Sequence, residues 1–371
     1  MRFLFHSQPV LTGLRVLSYG QRLRRVLLRR GNGFDVESSR GFHREVWRSA
    51  AAWLGAEIRE LPGDFLEVRY GERVTRVKQW WVMLDDPVTL SLAGNKAAVH
   101  GLLMEEGLPV PAHLTYTIDQ IERAWDFLRG QGVPCVVKPV SDTGGGRGVT
   151  TGVETSWQLA RASALASTLG RELLIERQVE GENYRLLYLD GVLIDALRKG
   201  GPSVIGDGHS SIGGLIRREN QARARGRRAV LGPITIDLDC RATLRRAGLS
   251  LRSVPAAEQT VRVKMATNEG SERDNQTVLG QIGPSLARQG ARAAAIVGAR
   301  LAGVDVITKD PTLPLEPPGA IIEVNTTPGI RFHYMVWNQE QRVEVAVPIM
   351  RYLLGLGTAK ESRVGFNMEA R

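Results

Sequence analysis

Asp305, Glu323 and Asn325 are polar residues set into apolar, strand-like runs, "LAGVDVITKD" and "GAIIEVNTTPG". Alternation along a strand puts Asp305 on the face opposite Val304 and Val306. Glu323 and Asn325 likewise share a face opposite Ile322 and Val324. If the two runs pair as an antiparallel hairpin through "PTLPLEPP", Asp305 lies across from the other two. Two carboxylates and an amide then converge at a strand end. That is a hard oxygen set suited to magnesium held between protein and phosphate oxygens. From alternation alone, a polar strand face turned to water fits equally well.

A second constellation is "VVKPVSDTGGGRGVT", residues 136–150, where a buried strand delivers Lys138 and a glycine loop follows. Glycines let backbone N–H groups approach an oxyanion closely, and the lysine adds a full charge. The loop matches neither the P-loop nor the dinucleotide fingerprint, and a merely flexible turn would carry the same residues. A third is "LLIERQVEGENYRLL", residues 173–187. Such a strand-to-loop hinge can offer backbone groups to a nucleobase, or Glu176 and Glu182 are simply surface acids.

The elements that must hold these groups read as a mixed α/β chain. Residues 42–60 place Val46, Ala50, Trp53 and Leu54 at helical spacing, and strand-like "FLEVRYG" and "VTRVKQWWVML" follow. A helix is expected from about 92 to 106 with Gly107 closing it, and a domain boundary near residue 90. Helices near 117–129 and 156–169 flank the strand "PCVVKPV", and the strand "ELLIERQV" comes next. "YRLLYLDGVLIDALRK" is a hairpin turning at Asp190-Gly191. A helix after Pro284 leads into the Asp305 strand, and "VAVPIMRYLLGLG" is a closing helix.

Composition narrows the function classes. The 371 residues carry 49 Lys+Arg against 39 Asp+Glu, a net charge of +10. That fits a polyanionic partner or an acidic or phosphorylated small molecule. The basic patches at 22–30 and 223–246 lack aromatic interleaving and zinc-finger spacing, so nucleic-acid binding is not the expectation. Only Cys135 and Cys240 are present, far apart, which points to a reducing, cytoplasmic compartment and no cysteine metal site. No run of about 20 apolar residues exists to span a membrane. From Met1 to Phe34 there are seven arginines and no acid, as in some transit peptides; a basic amphipathic helix is the preferred reading.

In order along the chain, "NKAAVHGLLMEEGLPVP", "VVKPVSDTGGGRGVT", "ERQVEGENYRLLYLDGVLI", "VIGDGHSSIGGLI", "AGVDVITKD" and "IIEVNTTPGIRFH" resemble the ATP-grasp superfamily. The likeness is greatest to the ATP-grasp module of cyanophycin synthetase and of glutathione-synthetase-like ligases. It spans about residues 95–335 and implies an ATP-grasp fold of the α/β (α+β) class, with nucleotide held between two subdomains. Residues 1–90 would be a small preceding domain and 91–355 the ATP-grasp domain. A lid would span about 110–176, a metal-binding subdomain about 177–355, and a tail 356–371. No Mur-ligase-like domain is seen, so polymer synthesis is not implied.

The resemblance implies that Lys96 and Lys138 contact phosphates and that Thr143, Gly144, Gly145, Gly146 and Gly148 close over them. Adenine would be read near Glu176, Arg177, Gln178 and Val179. Asn183 stands where a ribose-binding acid is usual, and Arg185 at a position often basic in relatives. Asp305, Glu323 and Asn325 fall on the ligands of magnesium, two ions being expected. Arg198, His209, Arg331 and His333 are candidates to meet the substrate carboxylate, or are turn or packed residues. The implied activity joins a carboxylate of an amino acid or small peptide to an amine through an acyl phosphate, releasing ADP and phosphate. A non-catalytic ATP-binding protein and a ligase with a non-amine nucleophile stay open, as do a homodimer and a homotetramer.

Overall fold

The computed structural model describes residues 36–141, 146–224 and 230–361. The basic run at 22–30, Thr143, Gly144, Gly145 and the 225–229 part of the basic stretch lie outside the described residues. The first helix, α1 (Val36–Leu54), buries Phe42, Val46, Trp47, Ala50 and Ala51 along one stripe. Trp53 does not complete that stripe and is 43% exposed. The helix stops at Leu54 because Gly55 takes a left-handed φ of 67°. Residues expected to continue it form strand β1 (Glu57–Leu61) instead. With β2 (Phe65–Tyr70), β3 (Arg73–Lys78) and β4 (Trp81–Val82) it makes an antiparallel meander.

The helix expected from 92 to 106 is divided. α2 (Pro87–Ala93) starts where the Asp86 carboxylate accepts from the N–H groups of Val88 and Thr89. Gly94 and Asn95 interrupt it, and Asn95 caps α3 (Lys96–Glu105) through Ala98 N–H. Gly107, at φ 70°, closes that helix as expected. A second sheet follows, built from β5 (His113–Thr117), β6 (Cys135–Pro139), β7 (Thr150–Val153) and β8 (Glu172–Arg177). Its order is β5-β8-β6-β7 and every neighbour is antiparallel. Helices α4 (Ile121–Gln131) and α5 (Ser156–Ala166) contribute Ile121, Leu128 and Leu159 to a core with Val137 and Ile175 of this sheet.

The third sheet carries most of the candidate chemistry. The hairpin β9 (Glu182–Leu189) and β10 (Val192–Lys199) turns at Asp190-Gly191, both at positive φ. After it, β11 (Ser203–Ile205), α6 (Ile212–Arg223), α7 (Leu238–Arg246) and β12 (Thr260–Arg262) form a small unit around Ile212, Ile216, Cys240, Leu244 and Val263. The chain then adds β13 (Asn275–Thr277), α8 (Pro284–Val297), β14 (Leu301–Thr308) and β15 (Ala320–Thr326). The five strands run in the order β13-β10-β9-β14-β15. A short turn of helix, α9 (Arg331–Tyr334), and the closing α10 (Ala346–Leu353) complete the described chain.

The N-terminal meander has no core to itself. Trp47, Val68 and Val77 share one apolar cluster with Val345, Ile349 and Met350 at the other end of the chain, and with Leu187, Leu189 and Ile194 of the central hairpin. Ala359, in the stretch expected as a tail, is buried in the same cluster. Among the described residues, no helix is long and apolar enough to cross a membrane.

Candidate active site

The β14–β15 pairing forms as the alternation requires. Asp305 stands directly opposite Glu323, and Gly303 opposite Asn325. A bulge between Asp305 and Val306 leaves Ile322 outside the pairing; its carbonyl takes the Nε2 of His100 at 3.0 Å. On the other side of β14, Arg185 pairs with Asp305. Its guanidinium grips the carboxylate through Nε at 2.7 Å and a second nitrogen at 2.5 Å. Asn325 Nδ2 donates to the same carboxylate at 3.3 Å. Burial works against the Asp305 charge, but Arg185 and Lys199 outweigh it and hold the carboxyl below its ordinary range.

These groups line a cleft of about 370 Å³ between the second and third sheets. Lys96, in the first turn of α3, reaches Glu323 at 3.5 Å. Lys138, at the end of β6, bonds Glu176 at 2.7 Å with both side chains nearly buried. Arg177, Gln178, Val179, Asn183 and Arg185 also line the cleft. The N–H groups of Arg177 and Gln178 are taken by the carbonyls of Ala112 and Pro134. Val179 N–H has no such backbone partner among the described residues. Of the glycine loop, Gly146 lines the cleft at φ 68°, and a Cβ there would stand 2.7 Å from Asn268 Nδ2. Gly148 does not line it; it packs on Leu169 and Pro139.

Arg331 is at the cleft, half-buried, with its Nε buried and unpartnered and its guanidinium 4.5 Å from the centre of the Phe332 ring. Burial, then Arg185, pushes its pKa down to about 10. The other substrate candidates are elsewhere. His209 is an exposed turn residue, its Nδ1 2.9 Å from the Asp207 carbonyl. His333 is wholly buried and bonds Asp195 at 2.6 Å. Asp195 in turn accepts from Thr277 Oγ1 at 2.8 Å, so His333 holds the sheet rather than a ligand.

Arg198 is exposed and off the cleft, and its neighbour Lys199 takes the position. An unbulged hairpin turning at Asp190-Gly191 would set Arg198 across from Asn183. A bulge between Leu193 and Asp195 shifts the register, so Lys199 pairs with Asn183 instead. Lys199 is 2% exposed and stands 4.9 Å over the same Phe332 ring that carries Arg331. Burial, then the Arg185 charge, lowers its pKa to about 8.

Two further lining residues carry no motif. Asn268 comes from the loop before β13. Trp80 comes from the β3–β4 turn of the N-terminal meander. That turn is held from behind: Trp47 Nε1 donates to the carbonyl of Gln79 at 2.6 Å, and Gln79 takes a left-handed φ of 54°. Trp80 packs edge-on to the buried ring of His43, 5.6 Å away. The adjacent tryptophans of "KQWWV" were the visible signal; which of them faces inward depends on the turn.

No cluster of three or more His, Cys, Asp or Glu side chains stands within metal range among the described residues. The Asp305, Glu323 and Asn325 set is two carboxylates and an amide, and it fits a hard cation. Of roughly four lone-pair positions on the Asp305 carboxylate, Arg185 and Asn325 occupy three. Glu323 has only the longer Lys96 contact and is partly exposed.

No protein-family model matches the chain. The cyanophycin synthetase of Trichormus variabilis is 32% identical over 310 residues, which cover 78% of this chain and 34% of that protein. The glutathione biosynthesis bifunctional protein GshAB of Mannheimia succiniciproducens is 26% identical over 299 residues, covering 78% of this chain and 39% of that protein. The chain thus spans 34–39% of the length of these curated relatives. Among solved structures, a bifunctional glutathione synthetase from Pasteurella multocida superposes with a TM-score of 0.55 at 22% identity, covering 84% of this chain and 44% of that one.

Proposed function

Because the chain belongs to the ATP-grasp superfamily, we propose that it is an ATP- and magnesium-dependent ligase joining a carboxylate to an amine. The observation that carries this is a single cleft lined by two lysines, an Asp–Glu–Asn oxygen set and, beside them, the buried Lys199 and the half-buried Arg331, neither ion-paired with a carboxylate among the described residues. In this reading residues 1–90 precede an ATP-grasp domain of 91–355, with its lid at about 110–176. Asp305, Glu323 and Asn325 hold two magnesium ions. Bound there, magnesium supplies charge neutralisation and alignment to the phosphates.

The protein groups account for the rest. Lys96 and Lys138 exchange their present carboxylates for phosphate oxygens, a stronger multivalent partner. Val179 N–H meets the adenine edge, and Asn183 the ribose. Lys199 and Arg331, fixed on either contact of Phe332, meet the substrate carboxylate. They stabilise the charge as its oxygen attacks the γ-phosphorus and ADP departs. The amine then attacks the acyl carbon, phosphate leaves, and the amine's proton goes to solvent. Preorganised cations and in-line positioning carry such a step without a covalent enzyme intermediate. The substrates are an amino acid or small peptide and an amine, the carboxylate partner being acidic or phosphorylated, and the compartment cytoplasmic.

Magnesium-dependent ATP binding should weaken at least tenfold in Glu323→Ala/Asn325→Ala, measured by calorimetry. A screen of carboxylates against amines should yield ADP and phosphate. Release of AMP and pyrophosphate would overturn the acyl-phosphate reading.

A further inference from the structure

A second cleft, of about 280 Å³, lies between the second sheet and the small inserted unit. One wall is β7 and the start of α5, with Trp157 and Arg161. The other is α7, with Arg241 and Arg245. Trp157 is 66% exposed, and the Arg161 guanidinium lies 5.8 Å from its ring. Arg241 and Arg245 are four residues apart on one helix face, so their side chains emerge together. Among the described residues no carboxylate forms an ion pair with any of these three arginines. The neighbouring Arg246 differs: it bonds Thr151 Oγ1 at 3.0 Å and lies across Gly152.

The helix dipole accounts for Arg245 and Arg246 in the last turn of α7 but not for Arg241 nearer its start. Three like charges face one another across a gap, an arrangement that a shared anion between them would relieve. Guanidinium forks match carboxylate and phosphate oxygens two at a time. Its lining offers one aromatic face, that of Trp157.

We propose that this groove binds a small molecule bearing two or more anionic groups, bridging Arg161 on one wall and Arg241 and Arg245 on the other. Thr151 lines both this groove and the larger cleft, and Asp239 at the start of α7 accepts from Thr151 Oγ1 at 2.5 Å and from the N–H groups of Met265 and Ala266. Met265 and Ala266 also line the larger cleft. A ligand that ties the two walls together therefore sets the position of one side of the nucleotide cleft.

The test uses the full chain without nucleotide. Pyrophosphate and tri-glutamate are titrated by calorimetry at low and physiological salt, into the native protein, Arg241→Glu/Arg245→Glu and Arg161→Gln. Saturable, salt-sensitive binding is expected, weakened at least tenfold in both variants. Preference for pyrophosphate marks a phosphorylated ligand; preference for tri-glutamate marks a carboxylate chain. Binding of neither probe, or equal binding in either variant, would overturn the bridged site. In a second arm Mg-ATP affinity is measured with and without the bound probe. A change of at least fivefold is expected, and no change would overturn the coupling. Because the first arm needs no ATP, its failure is separate from failure of the ligase reading.

Discussion

Lys199 and Arg331 share the Phe332 ring and lie among charges of their own sign, and this has a measurable pH signature. Lys199 titrates near 10.5 when free and about 8 in the fold, with burial the larger cause and Arg185 the next. Between those values the unfolded chain holds a proton that the native chain lacks, so stability rises with pH across that window. An anion placed beside Lys199 reverses the trend and restores its proton. Mg-ATP or substrate binding at pH 8–9 should therefore take up protons, read from calorimetry in buffers of different ionisation heat. Uptake should vanish in Lys199→Met, a variant also expected to be as stable as the native chain or more so at pH 7. At this scale the oxygen set was legible, because Asp305, Glu323 and Asn325 obey a period of two that any strand imposes. Arg198 and His333 were misplaced, one by a bulge and the other by a buried partner, Asp195, distant in sequence.

Among the elements, the start of β9 and the end of β14 meet at a close backbone contact. Gly181, at φ 139°, brings its backbone so close to Thr308 that a Cβ would lie 2.6 Å from the Thr308 carbonyl. Gly181→Ala should cost about 1–3 kcal/mol through backbone strain, and more if the strands part. Urea denaturation measures the cost, and an unchanged midpoint would refute this account of the contact. Helix and strand positions were mostly readable from period and turns: Gly107 and Asp190-Gly191 each act locally. The division at Gly94-Asn95 and the change to strand after Leu54 were not, since apolar spacing runs through both and the chain is turned only by the extended Asn95 and the left-handed Gly55.

For the whole molecule, the governing fact is the apolar cluster that joins α1, the meander, α10 and the central hairpin. The order of strands in the sheets and this shared core were not legible, because they depend on contacts between chain ends that no local pattern encodes. Ile349, wholly buried within the cluster, should cost about 2–5 kcal/mol when replaced by alanine. Hydrogen exchange should then quicken in α1 and in β9 together; faster exchange in α10 alone would mean separately folding units. The Gln79-Trp80 turn has a different consequence. The aromatic wall of the larger cleft belongs to a short hairpin, whereas Lys138 and the Asp305–Glu323 pair belong to the other two sheets. That wall can therefore vary apart from the strands that carry Asp305 and Glu323, and Trp80→Ala should change the shape of the cleft while leaving those strands in place.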